Sequence, residues 1–180
     1  RWPPVDLTAL QLIEATAIFA GAWNVWHVLQ QKYGIFRMYA AKAGGGYPPW
    51  VDRFLLFGTL PFVMVGAARH VQPIIDRIGA ELALLQPLVN ALQGQGALPI
   101  ASGALALAAA GVFLRNEWLR TGTQVTPRLI TAAGVLALHG SFWLFDPVKV
   151  YIAYGVSHAI EYMVFLWAFQ RRQYAMPAPH

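Results

Sequence analysis

The sequence contains no cysteine. Disulfides, thiolate metal sites, cysteine-ligated iron–sulfur clusters and a cysteine nucleophile are thereby excluded. Charge is scarce too. Only 12% of the 180 residues are Asp, Glu, Lys or Arg, half of the roughly 25% typical of soluble domains. The sequence has no G-x-S-x-G, Walker loop, H-E-x-x-H or dinucleotide fingerprint, and Ser141 and Ser157 have no plausible triad around them. An ATPase, a serine hydrolase and a transcription factor are therefore poorly supported.

What fills the chain instead is apolar: 57% of residues are hydrophobic and the mean hydropathy is +0.46. Low charge and long apolar runs indicate an all-α integral membrane protein, a polytopic helix bundle whose first partner is the lipid bilayer. The pI near 9.8 does not imply nucleic acid, because the basic residues fall at the ends of the apolar runs. The chain begins at Arg1 rather than Met and shows no signal-peptide pattern, so sequence N-terminal to Arg1 is expected.

Five spans are expected in one membrane domain covering residues 1–180, at about 7–31, 54–68, 98–114, 129–145 and 150–169. The first is expected to run on towards Met38. The second is short against the roughly 20 residues that a crossing helix needs, and Pro61 is expected to kink it. In the third, small residues such as Ala104 and Ala108 would allow close helix contact. Residues 72–92 place Ile74, Ile78, Leu82, Leu85, Val89 and Leu92 on one face among charged and polar neighbours. That pattern predicts an amphipathic helix at the membrane interface.

With the N-terminus outside, Lys32, Arg37, Lys42, Arg53, Arg115, Arg120, Arg128, Arg171 and Arg172 lie inside. Arg1, Arg69, Arg77 and Lys149 lie outside. This excess obeys the positive-inside rule and puts the C-terminus in the cytoplasm, in a bacterial inner membrane.

Against this background four residues are out of place. His27 precedes Arg37 by ten residues, His139 follows Arg128 by eleven, and His158 and Glu161 precede Arg171 by thirteen and ten. At ~1.5 Å per residue these are depths of roughly 15–20 Å, near the middle of a core roughly 30 Å thick. Lys32, five residues from His27, is expected to snorkel to the inner surface. Ionisable side chains at mid-depth are costly unless paired and mark function by default. Imidazole and carboxylate suit iron and other first-row metals. His27, His139, His158 and Glu161 are the candidate ligands. Tyr154 and Tyr162 flank His158 on the same helical face and, with Glu161, are the candidate catalytic groups. Asn24, Gln30 and Gln31 make a polar stripe around His27. Glu14 and His70 are weaker candidates, expected to be an interhelix partner and an interfacial residue. Trp23, Trp26, Trp143 and Trp167 fit ordinary packing best, with a pocket for a long apolar ligand as the alternative.

NVWHVLQQKYG followed by SHAIEYMVFLW resembles the Brp/Blh-type membrane β-carotene dioxygenases. It is also similar to bacterial membrane proteins with H-x-x-x-Q-x-x-G early and H-x-x-(Q/E)-Y late. The resemblance covers about two helices. It implies a non-haem iron held by intramembrane histidines, with His27 and Gln31 at the family's paired positions and His158 with Glu161 at the late one. Gln31 departs from the family histidine, and the family's early His-Gly-Ala-(Leu)-Asp motif is absent.

Three functions remain open at this point. The first is an iron oxidoreductase acting on an apolar isoprenoid or lipid small molecule. The second is a cofactor-free subunit docking with other membrane subunits. The third is a haem-b electron carrier using two facing histidines, such as His139 and His158.

Overall fold

A computed structural model describes residues 9–78, 86–93, 96–121 and 126–175, and every regular element among them is helical. Seven helices follow in order: α1 (Ala9–Lys42), α2 (Pro49–Gly58), α3 (Leu60–Ile78), α4 (Gln86–Gln93), α5 (Ala97–Thr121), α6 (Pro127–Ser141) and α7 (Pro147–Ala175). Three stretches are long and apolar enough to cross a membrane: Pro49–Pro73, Ala97–Thr121 and Pro147–Arg171. The chain is an all-α membrane helix bundle.

Local chemistry sets the boundaries. α1 stops where Gly44, Gly45 and Gly46 take φ values of 88°, 79° and 77°, a region open to glycine at little cost. α6 begins with Pro127 after Thr126, whose hydroxyl accepts from Leu129 N at 3.2 Å. This is an N-cap followed by proline in the first turn. α7 starts the same way, with Asp146 Oδ1 accepting from Val148 N at 2.9 Å.

Several sequence expectations need correction. The second span is not short: α2 and α3 together run well beyond 54–68, interrupted at Thr59 just ahead of Pro61. The amphipathic helix over 72–92 is not one element among the described residues. Its first residues finish α3 and its last form α4, while 79–85 lie outside the described residues. Gln86 donates to Gln72 at 3.2 Å and Gln93 to the Ala68 carbonyl at 2.7 Å, so α4 folds back along α3. In α5, Ala104 and Ala108 are exposed. The packing face is Ser102, Ala109, Phe113 and Glu117 instead. A Cβ on Gly58 would lie 3.2 Å from Ala109 Cβ, so glycine and alanine bring α2 and α5 together.

The core joins Leu29 and Phe36 of α1, Val51, Leu55 and Leu56 of α2, Phe113 of α5, and Ala132 and Val135 of α6. Towards the last turns of α1 it gives way to buried charge. Arg128 is 1% exposed and Asp52 0%. Arg128 donates to Asp52 Oδ1 at 2.7 Å, to Glu117 Oε1 at 2.8 Å and to the Phe36 carbonyl at 2.9 Å. Arg37 reaches the same Asp52 at 3.1 Å, and Tyr47 lies 4.3 Å under the Arg128 guanidinium. Burial opposes the Arg128 charge, but the hydrogen bonds and charges of Asp52 and Glu117 outweigh it and raise its pKa. Arg128 is thus no surface marker of topology. It ties α1, α2, α5 and α6 into one unit.

Candidate functional site

α7 lies outside that unit. Its outward residues, Ile152, Val156, Met163 and Trp167 among them, are exposed apolar side chains suited to lipid. Its inward stripe is polar, with Tyr151, Tyr154, His158 and Glu161 spaced by three or four residues. α1 offers Asn24, His27, Gln31 and Lys32 in return. Asn24 donates to the Tyr151 hydroxyl at 2.6 Å, the His27 and His158 rings meet edge-on with centroids 5.5 Å apart, and Lys32 Nζ forms an ion pair with Glu161 Oε1. The partners rise together along both helices, so α1 and α7 run parallel. They are joined by long polar side chains rather than by close helix packing.

This arrangement opens a groove between α1, α6 and α7, with a volume of about 1200 Å³. Ile35, Met38, Val135, Leu138, Phe165 and Phe169 make its walls largely apolar. Along α7 it extends from Lys149 to Phe169, roughly 30 Å of helix at ~1.5 Å per residue. Lys32 and Glu161 stand in its wall midway.

The structure brings together three of the four expected ligands: His27, His158 and Glu161. The fourth, His139, is 3% exposed and bonded through Nδ1 to Thr59 Oγ1 at 2.8 Å. The single Thr59 hydroxyl proton can be directed to the Leu55 carbonyl at 2.8 Å. With the hydroxyl donating there, His139 Nδ1 donates to Thr59 and Nε2 keeps its lone pair; with the other imidazole tautomer the hydroxyl donates to Nδ1 instead. Among the described residues, no three His, Asp or Glu side chains are arranged to hold a metal ion.

The residue missed in the sequence is Lys32. It is 5% exposed and does not snorkel. Its ammonium charge acts on both His139 and His158 as well as pairing with Glu161. A built-in cation thus occupies the neighbourhood in which a metal is expected, and it already balances the one carboxylate. The sequence signal was the lysine itself, unexpected within an apolar helix.

The remaining candidates divide. Tyr154 is buried and within the reach of the Glu161 charge. Tyr162 is 50% exposed and does not join the cluster as expected. His70 Nε2 lies 3.1 Å from the Trp143 carbonyl, and the Trp143 indole donates to the Phe62 carbonyl at 2.8 Å, so both are structural. Trp23, Trp26 and Trp167 are exposed apolar surface. The Glu14 side chain lies outside the described residues. Three buried polar atoms of α1 and α7 have no hydrogen-bond partner: Gln31 Oε1, His158 Nδ1 and Glu161 Oε2.

No protein-family model matches this chain, and no curated protein or solved structure is similar to it.

Proposed function

We propose that this integral membrane protein holds one long apolar molecule, of isoprenoid or acyl-chain class, in the groove between α1, α6 and α7. The Lys32–Glu161 pair forms its polar contact. The observation that carries this reading is a largely apolar groove of about 1200 Å³ whose wall is interrupted midway by a half-buried ion pair, its lysine covered and its carboxylate partly exposed. Hydrocarbon alone would not favour that pair, because ionisable groups at membrane depth are costly and mark ligand paths by default. With Lys32 and Arg128 set aside as buried, the remaining basic residues still favour one side, which supports a cytoplasmic C-terminus in a bacterial inner membrane.

Retinol binding in lipid nanodiscs tests this, read by energy transfer from tryptophan. Gly134 lines the groove and a Cβ there meets nothing within 4 Å, so Gly134→Phe is the variant chosen to obstruct it. Saturable binding in wild type, weakened at least tenfold in Gly134→Phe, is expected. Equal binding by the two proteins would refute the site.

A second reading, an iron-dependent oxidoreductase acting on the same molecule, has a specific observation in its favour. The His139 ring is held through Nδ1 by Thr59, and His158 Nδ1 and Glu161 Oε2 are buried without partners among the described residues. A metal-bound imidazole is oriented by such a bond to its other nitrogen. Iron bound there would activate dioxygen. Against it stands Lys32, which must release Glu161 before a second cation can use that oxygen. Metal content by mass spectrometry decides. Stoichiometric iron in wild type, lost in His158→Ala, supports this reading; no stoichiometric metal in protein purified without chelator removes it. The haem reading gains no such observation.

A further inference from the structure

Lys32 is more than a polar contact of the groove. It is a primary amine, nearly fully buried, facing a space about 1200 Å³ in volume with largely apolar walls, and its only ion-pair partner among the described residues is one carboxylate. Lysines in such surroundings act as amine nucleophiles towards carbonyl carbon. Lys42 and Lys149 also border the groove but are exposed, and neither forms an ion pair among the described residues.

The geometry points to Lys32 as a covalent anchor: a long apolar aldehyde or ketone enters the groove and is captured on Nζ as an imine, with Glu161 as counter-ion. This inference rests on the groove reading above and names the ligand class. The steps balance without a further reactant. The ammonium passes a proton to Glu161, and the free amine adds to the carbonyl carbon. The carbonyl oxygen takes up the proton shed by the adding nitrogen, which gives a neutral carbinolamine. Loss of that hydroxyl as water, with the proton returned from Glu161, leaves a protonated imine beside a carboxylate. Nothing is oxidised or reduced.

Charge selects this class over others. The Lys32–Glu161 pair is neutral as a unit, and so is the iminium–carboxylate pair that replaces it. A fatty-acid carboxylate would bring a second negative charge into an apolar groove with no further cation beside it at that depth. A hydrocarbon would leave the pair unused. Glu161 Oε2, buried and without a partner, is a second oxygen able to hold the transferred proton while Oε1 faces the amine.

The test uses farnesal as the probe, at stoichiometric amounts, with the wild-type protein in nanodiscs. The product is trapped with borohydride and mapped by peptide mass spectrometry. A reduced farnesyl group on Lys32, at least tenfold above Lys42 and Lys149, is expected. Glu161→Gln should lower that yield at least tenfold, with folding checked by gel filtration. Equal labelling of the three lysines, or an unlabelled Lys32 in protein that binds retinol in the Gly134-dependent way, overturns the anchor and leaves the groove reading standing. Loss of both farnesal labelling and retinol binding overturns both.

Discussion

Single residues decide most of what this chain can do, and the two most informative are cations that look ordinary in the sequence. Arg128 faces two carboxylates with its side chain 2% exposed. Arg128→Met would leave buried Glu117 without an ion-pair partner among the described residues and Asp52 with Arg37 alone. A loss of about 3–5 kcal/mol in stability is expected, read as a lower unfolding temperature in detergent, and an unchanged melting curve would contradict this account of the cluster. Thr59→Val keeps the shape of the site but removes the hydrogen-bond partner of His139 Nδ1. A cost of about 1–3 kcal/mol is expected for the unpaired ring nitrogen, and a neutral effect would mean that His139 finds another partner. Gly66 is a third case. An added Cβ would drive into the Trp143 ring, which is stacked on Phe62. Gly66→Ala should destabilise by about 1–3 kcal/mol through overpacking.

The helices were legible where hydropathy and end signals agreed. α5 and α7 contain the apolar runs read from the sequence. The thirteen-residue reach from His158 to Arg171 and the ten from His27 to Arg37 placed those histidines at one depth, where the rings do meet. Legibility failed where a charge could go to either of two places. Lys32 and Arg128 were assigned to the nearest surface, because nothing local says that a carboxylate about 130 or 76 residues away in sequence will turn up beside each. The polar residues of 72–78 belong to the end of α3 for a related reason. Amphipathic periodicity shows which face is apolar, not whether the helix bearing it is separate. At this scale the test is α7 itself. Nitroxide labels at Ile152 and Met163, attached in detergent before reconstitution, should collide with bilayer oxygen much more often than one at Tyr154. Equal rates would mean that α7 does not present a fixed inward stripe.

For the molecule as a whole, the architecture is a unit of α1, α2, α3, α5 and α6, with α1, α2, α5 and α6 locked at one end by Arg128, α4 folded along α3, and α7 laid beside the unit across a groove. The lock is satisfied on every side and the groove is not. Three of the four buried polar atoms without partners among the described residues, a buried lysine and two facing histidines belong to the α1–α7 side; the fourth atom is Asn116 Nδ2 of α5. A bundle that closes its charges at one end while leaving polar groups beside an apolar space is built to hold something there. The measurement that bears on this most directly is saturable retinol binding by wild type and Gly134→Phe in nanodiscs. One site per chain in wild type, weakened at least tenfold by the added ring, is the expected result. Binding that is absent in wild type, or indifferent to the ring, contradicts it.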